Sequence, residues 1–87
     1  MYSIEFSNRS KKFLKNLDKH ITERIIKRIE ELKENSIPSD AKFIGRDKEG
    51  EKIFRYRIGD YRALYKSKEK EKIVLITKID KRPRVYK

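Results

Sequence analysis

Apolar and polar residues alternate with period two in three segments of this 87-residue chain. Such alternation is typical of strands that bury one face. The segments are residues 2–6, 52–58 and 61–67, and a fourth stretch, residues 73–76, is a continuous run rich in β-branched residues. Because only short links separate the last three, they are predicted to be antiparallel neighbours in a meander.

Between residues 6 and 35 the apolar pattern changes to helical spacing. Ser7 is a candidate N-cap for a first helix of about residues 8–17, and a second, amphipathic helix is predicted over about residues 20–34. The apolar positions that define them are Phe13, Leu14 and Leu17 in the first helix, and Ile21, Ile25, Ile29 and Leu32 in the second. Only Asp18-Lys19-His20 separates the two, which indicates a helical hairpin.

These elements predict one α+β domain covering residues 1–87. It has an N-terminal strand, a helical hairpin and an antiparallel three-stranded meander, with the helices packed on one face of a mostly antiparallel sheet. Residues 41–45 are either a further short strand or an apolar anchor, and residues 46–51 are a loop or a hairpin turn.

The chain is strongly basic, with 25 Lys and Arg against 14 Asp and Glu, a formal net charge of +11. Residues 1–44 hold ten bases and seven acids, whereas residues 45–87 hold fifteen and seven. A surface adapted to high temperature would also be rich in charge, but its signs would balance. The excess therefore favours a polyanionic partner such as nucleic acid, bound mainly by the C-terminal half.

Several function classes find no support in the sequence. Cysteine is absent, His20 is the only histidine, and no nucleotide-binding or serine-hydrolase motif occurs. We therefore expect no metal and no cofactor. No apolar run is long enough to span a bilayer, and no signal peptide opens the chain, so a soluble, cytoplasmic protein is expected.

The stretch RYRIGDYRALY, residues 55–65, combines arginines and tyrosines on the two central strands. Alternation places Arg55 and Arg57 on one face and the neighbouring Phe54, Tyr56 and Ile58 on the other. The apolar side should pack on the helices together with Tyr61 and Tyr65, and the opposite side should carry Arg62 and Lys66 as well. The two strands thus predict an aromatic floor and an uncovered basic face.

A face of Arg, Lys and Tyr suits phosphodiester chemistry, because guanidinium groups stabilise the charge that develops on phosphoryl oxygens. RNA supplies its own nucleophile, the 2′-hydroxyl, and a lysine or tyrosine among like charges can take part in proton transfer if its pKa is lowered. Composition leaves open whether the basic face only binds nucleic acid or also cleaves it.

The element order, FRYRIGDYRALY on the central strands and KRPRVY near the C-terminus resemble the RelE/ParE superfamily of toxin–antitoxin toxins, in particular its RelE-like branch. The resemblance covers nearly the whole chain. It implies a type II toxin, an mRNA interferase that cleaves messenger RNA on the ribosome, inhibits translation, and is held inactive by a cognate RelB-like antitoxin.

The resemblance also implies roles for individual residues. Arg55 would contact phosphate or assist proton transfer, Arg62 and Arg82 would stabilise the phosphate in the transition state, and Tyr86 would orient the substrate. Further candidates for RNA contact are Lys52, Arg57, Lys81 and Arg84.

Among the departures from the RelE-like pattern, the one at position 53 bears most on the site. A second basic residue is usual two positions before Arg55, and here it is Ile53, so Lys52 or Arg46 would have to reach the site from an edge. Arg62 could instead pair with Asp60 or another acid to stabilise the fold. Two other functions remain on the same scaffold, a ParE-like inhibitor of DNA gyrase and a catalytically weak RNA-binding relative.

Overall fold

The computed structural model describes residues 1–82, which form two helices and one five-stranded sheet. The elements in chain order are β1 Ser3–Phe6, α1 Asn8–Lys15, α2 Lys19–Glu30 with a 3₁₀ turn Glu31–Lys33, β2 Lys42–Arg46, β3 Lys52–Ile58, β4 Tyr61–Lys68 and β5 Ile73–Lys81. The strand order is β1-β5-β4-β3-β2, with β1 parallel to β5 and the other pairs antiparallel. The predicted α+β class is confirmed.

The helices cover one face of the sheet. Ile25 and Ile29 on α2 and Leu32 in the 3₁₀ turn are almost fully buried. They share a core with the apolar side chains that face them from β3, β4 and β5, which are Phe54, Tyr56, Ile58, Ala63, Tyr65, Val74, Ile76 and Ile79. This is the aromatic floor expected from the alternation, with Tyr61 only half-buried and packed edge-on against Phe13.

The helix boundaries differ slightly from those predicted. The Ser7 side chain caps α1 as expected, accepting a hydrogen bond from the Ser10 N–H at 3.1 Å. However, α1 ends at Lys15 rather than residue 17, because Asn16 leaves the helical conformation as its C-cap. The last turn of the second predicted helix tightens into the 3₁₀ conformation, which buries Leu32.

The last strand is longer than predicted, running to Lys81 rather than Ile76. Thr77 is an extra residue in β5, since Leu64 pairs with Lys78 and Tyr65 with Ile76. This bulge returns Ile79 to the core after Ile76 and so reverses the alternation expected for the rest of the strand.

Residues 41–45, left open by the sequence pattern, contribute a strand rather than only an anchor. β2 pairs with β3 from Arg46 opposite Lys52 to Lys42 opposite Arg55. Because the pairing ends there, the C-terminal part of β3 lies at an edge of the sheet. Among residues 1–82 no helix has the length and apolar character needed to cross a membrane.

Candidate nucleic-acid interface

The face of the sheet turned away from the helices, here called the open face, carries the predicted arginines. The two-residue turn Gly59-Asp60, with Gly59 at a φ of 59°, joins β3 to β4 and sets their register. Residues directly opposite each other in a ladder share a face. Two rows therefore cross β3, β4 and β5: Arg57–Arg62–Asp80, and Arg55–Leu64–Lys78.

Arg62 is held by a carboxylate on the neighbouring strand. Its Nε donates a hydrogen bond to Asp80 Oδ1 at 2.8 Å, and Lys78 Nζ lies 3.6 Å from the other carboxylate oxygen. The partner is thus Asp80 rather than the Asp60 considered from sequence. Since the pair uses only Nε–H, the terminal N–H groups of Arg62 have no hydrogen-bond partner among the described residues, and about a third of the side chain is exposed.

Lys66 also lies on the open face, but acids at the β2–β3 turn neutralise it. Its ammonium donates hydrogen bonds to Asp47 and Glu51. The hydrogen bond to Asp47 raises the pKa of Lys66, and the same bond lowers the pKa of Asp47. The prediction that a lysine of this face has a lowered pKa is therefore wrong for Lys66, which is poorly suited to accept a proton.

Two tyrosines of the central strands, Tyr56 and Tyr65, are equally unsuited to proton transfer. Burial raises the pKa of Tyr65, whose hydroxyl donates to the Ser36 carbonyl oxygen at 2.6 Å. Burial also raises the pKa of Tyr56, whose ring lies 4.7 Å below the Arg28 guanidinium. Both side chains belong to the helix side of the sheet.

Arg82 follows β5 and lies against the β3–β4 turn. Its backbone N–H donates to the Asp60 carbonyl oxygen at 2.7 Å, and its guanidinium reaches the Gly59 carbonyl oxygen at 3.3 Å. These contacts hold Arg82 at the end of the sheet where Arg57 and Arg62 also lie.

Not all predicted contact residues lie on the open face. Lys52 alternates with Phe54 and lines a cavity on the helix side, and Lys81 lies opposite Tyr61 in a cavity with residues of α2. Arg46, opposite Lys52, hydrogen-bonds the Gly50 carbonyl oxygen. Neither Lys52 nor Arg46 therefore replaces the basic side chain missing at Ile53.

Two predicted site residues, Arg84 and Tyr86, lie outside the described residues, and their roles stay predictions. Within residues 1–82 no group of three or more His, Cys, Asp or Glu side chains could hold a metal ion. His20 is exposed at the start of α2.

Three charged residues of the open face were not predicted from the sequence. Lys78 and Asp80 were missed because the predicted strand stopped at Ile76, although the apolar Ile79 between two charged residues signals that it continues. Lys42 was missed because its position beside Arg55 follows only from the pairing of β2 with β3.

Comparisons with known proteins agree with this fold. Residues 4–86 match the family model described as the ParE toxin of the type II toxin–antitoxin system parDE. The chain is 34% identical to a Methanocaldococcus jannaschii protein named "Putative toxin RelE1", with 99% of this chain and 96% of that protein covered.

Solved structures of RelE toxins share the same fold. The archaeal RelE–RelB complex from Pyrococcus horikoshii superposes with a TM-score of 0.82 at 26% identity, covering 97% of this chain and 98% of that one. The isolated RelE toxin of E. coli gives a TM-score of 0.81 at 20% identity, covering 98% and 88%. The chain belongs to the RelE/ParE superfamily and is a toxin of a type II toxin–antitoxin system.

Proposed function

We propose that this toxin is a RelE-like, ribosome-dependent mRNA endoribonuclease that acts in the cytoplasm. The observation that carries the proposal is Arg62 on the central strand β4, with its Nε held by Asp80 and its terminal N–H groups directed to no described residue. A guanidinium anchored in this way can offer two parallel donors to a phosphate. Arg55, Arg57 and Arg82 lie around it.

The reaction is attack of the RNA 2′-oxygen on the adjacent phosphorus. The new P–O2′ bond forms as the P–O5′ bond breaks, a proton leaves the 2′-hydroxyl, and another reaches the departing 5′-oxygen. The products are a 2′,3′-cyclic phosphate, which hydrolysis can open to a 3′-phosphate, and a 5′-hydroxyl. In this scheme Arg62 and Arg82 stabilise the charge on the phosphoryl oxygens. Since the Arg55 guanidinium stays protonated, its role is to contact phosphate as a positive charge. Tyr86 is proposed to orient the substrate.

The test is cleavage of a defined message on purified ribosomes, read by primer extension. We expect the wild type to cut within codons in the A site, and Arg62→Ala or Arg82→Ala to lose at least about 100-fold in kcat, the scale for removing one transition-state donor. Arg9→Ala, which removes an exposed arginine of α1, is the matched control. Circular dichroism checks that each variant is folded, and cutting by folded Arg62→Ala at the wild-type rate would refute the site.

A second candidate is a ParE-like inhibitor of DNA gyrase. It is favoured by the match to a ParE family model and by Ile53 at a position that is usually basic in the RelE-like branch. Gyrase inhibition does not require the arginines of the open face. A protein that inhibits supercoiling and leaves ribosome-bound messages intact would establish this candidate instead.

We also propose that a RelB-like antitoxin binds and inhibits this toxin, with an amphipathic or acidic segment covering the basic face. The Pyrococcus horikoshii structure is a RelE–RelB complex, and a Mycobacterium tuberculosis structure of the same fold is the toxin–antitoxin complex RelBE2. Exposed Phe43 and Ile44 on the β2 edge offer apolar contacts beside the basic residues.

A further inference from the structure

A cluster of cations lies where β2 begins beside β3. Lys42 is directly opposite Arg55 in the β2–β3 ladder, and Arg57 follows two residues later on the same face. These three side chains, with Arg28 and Asp40, line a cavity of about 390 Å³ at the edge of the sheet.

The three cations are not neutralised within the part of the chain that the structure describes. The ion pairs among residues 1–82 engage six cations, but none involves Lys42, Arg55 or Arg57; the six are Arg28, Lys33, Arg62, Lys66, Lys68 and Lys78. Like charges directly opposite each other on a sheet are destabilising. The fold therefore keeps Lys42 beside Arg55 at some cost in stability, and a bound anion would offset that cost.

The helix-side wall of the cavity is fixed by its own contacts. Arg28 donates hydrogen bonds to Glu31 at 2.6 Å, to Asp40 at 3.0 Å and to the Tyr56 hydroxyl. Because Arg28 is shared between Asp40 and Glu31, these three groups together carry one net negative charge. The three positive charges of Lys42, Arg55 and Arg57 exceed it, so the cavity is net positive and suits an anion.

Resting on the function proposed above, we propose that Lys42, Arg55 and Arg57 bind a backbone phosphate of single-stranded RNA next to the one that Arg62 contacts. Arg55 and Arg57 belong both to this cavity and to the open face, so a strand lying on Arg62 continues into it. Strands in a sheet are about 4.8 Å apart and rise about 3.4 Å per residue, so Lys42, two strands and two residues away from Arg62, is separated from it by roughly 12 Å. Lys42 thus supplies, from the neighbouring strand, the second cation beside Arg55 that Ile53 does not provide.

The direct test is binding of a short fluorescent single-stranded RNA, with 2′-O-methyl substitution at every nucleotide to prevent cleavage, measured by anisotropy at several salt concentrations. Lys42→Ala should weaken binding about three- to tenfold near 0.1 M salt, and should reduce the slope of log K against log salt by about 0.7. Lys42→Arg should bind as the wild type does. Lys15→Ala, which removes an exposed lysine of α1, is the control and should change the affinity less than twofold.

The thermal midpoint separates binding from folding. Because Lys42→Ala removes a like-charge neighbour of Arg55, its midpoint should equal or exceed that of the wild type. Unchanged affinity and salt slope in Lys42→Ala would overturn the proposal. So would an equal loss of affinity for RNA and for a glutamate-rich peptide of the same charge, since the cavity would then not select nucleic acid.

The proposed phosphate site at Lys42 and the proposed nuclease activity can be refuted independently of each other. If the wild type cuts ribosome-bound message and Lys42→Ala cuts it with an unchanged KM, the site is refuted and the activity stands. If the wild type cuts nothing but binds RNA through Lys42, the site stands and the nuclease is refuted.

Discussion

The pair between Arg62 and Asp80 should be measurable as a coupling energy. The two charges lie 2.8 Å apart on adjacent strands, and the side chains are 31% and 29% exposed. At an effective dielectric constant of about 20, charges about 4 Å apart attract by about 4 kcal/mol. Desolvation and the ordering of two side chains offset most of this, so cross-strand pairs of opposite charge contribute roughly 0.2–1 kcal/mol. We expect a value near the top of that range, about 0.7–1 kcal/mol.

The assay is urea unfolding of four proteins: wild type, Arg62→Ala, Asp80→Ala and the double variant. The difference between the double variant and the sum of the single variants gives the coupling. The coupling energy should be smaller in about 1 M salt, where interactions between charges more than roughly 3 Å apart are screened. Lys78, whose ammonium is 3.6 Å from Asp80 and whose side chain is 43% exposed, provides a control cycle that should show weaker coupling.

The same variants report on the proposed activity. Asp80→Asn retains an oxygen that accepts the hydrogen bond from Arg62 Nε, whereas Asp80→Ala does not. Turnover should therefore fall in the order wild type, Asp80→Asn, Asp80→Ala, Arg62→Ala. A coupling below about 0.3 kcal/mol in low salt would refute the structural pair. Coupling with unchanged turnover in Asp80→Ala would show that the pair only stabilises the fold.

Three further predictions concern stability. Tyr65→Phe leaves the buried Ser36 carbonyl oxygen without its donor and should lower the free energy of unfolding, measured in urea, by about 1–3 kcal/mol. Because burial raises the pKa of Tyr65, the contribution of Tyr65 to stability is complete below about pH 10 and is lost as the pH rises above it. The variant should therefore lose less stability between pH 9 and about 11 than the wild type. Ile29→Ala should cost about 2–5 kcal/mol, since Ile29 is fully buried against the sheet, and Ile29→Val about 0.5–1.5 kcal/mol. Because Lys66 lowers the pKa of Asp47, the Asp47 carboxylate stabilises the fold above about pH 4, and it stabilises the fold less as the pH falls below that value. Asp47→Asn should therefore flatten the acid side of a curve of unfolding free energy against pH. An unchanged curve would contradict the pairing of Asp47 with Lys66.

The sequence was most informative where local rules determine geometry. Alternation in residues 52–58 and 61–67, joined by a Gly-Asp turn that permits one register, was enough to place Arg55 and Arg62 on the same face. The helices were found from their apolar stripe, and only their ends differ from the prediction.

The parts that sequence could not supply depend on contacts between distant residues. The bulge at Thr77 is stabilised from two sides, by the Thr77 hydroxyl bonding the Leu64 carbonyl oxygen and by the Ser7 hydroxyl bonding the Thr77 carbonyl oxygen. Without it, period-two counting would place Lys78 and Asp80 in the core. Likewise, Lys42 becomes a neighbour of Arg55 only through the pairing of β2 with β3.

The acids of the open face offer a way to distinguish the proposed enzyme site from a surface that merely attracts RNA. For attraction alone, each carboxylate is a disadvantage, because every cation that it neutralises is one fewer available to phosphate. A site that stabilises a transition state needs a fixed guanidinium, and Asp80 fixes Arg62 at the expense of one positive charge.

Asp80→Ala should therefore have opposite effects on the two properties. Affinity for the non-cleavable RNA should rise by about two- to fivefold, with a steeper salt dependence, because one negative charge has been removed. Turnover on the ribosome should fall, because Arg62 can then adopt other rotamers. Asp47→Ala, which leaves Lys66 paired with Glu51 alone, is the matched control: affinity should also rise, while turnover should not fall. If both variants bound more tightly and cut faster, Asp80 would be only a neutralising charge and Arg62 would not need its support.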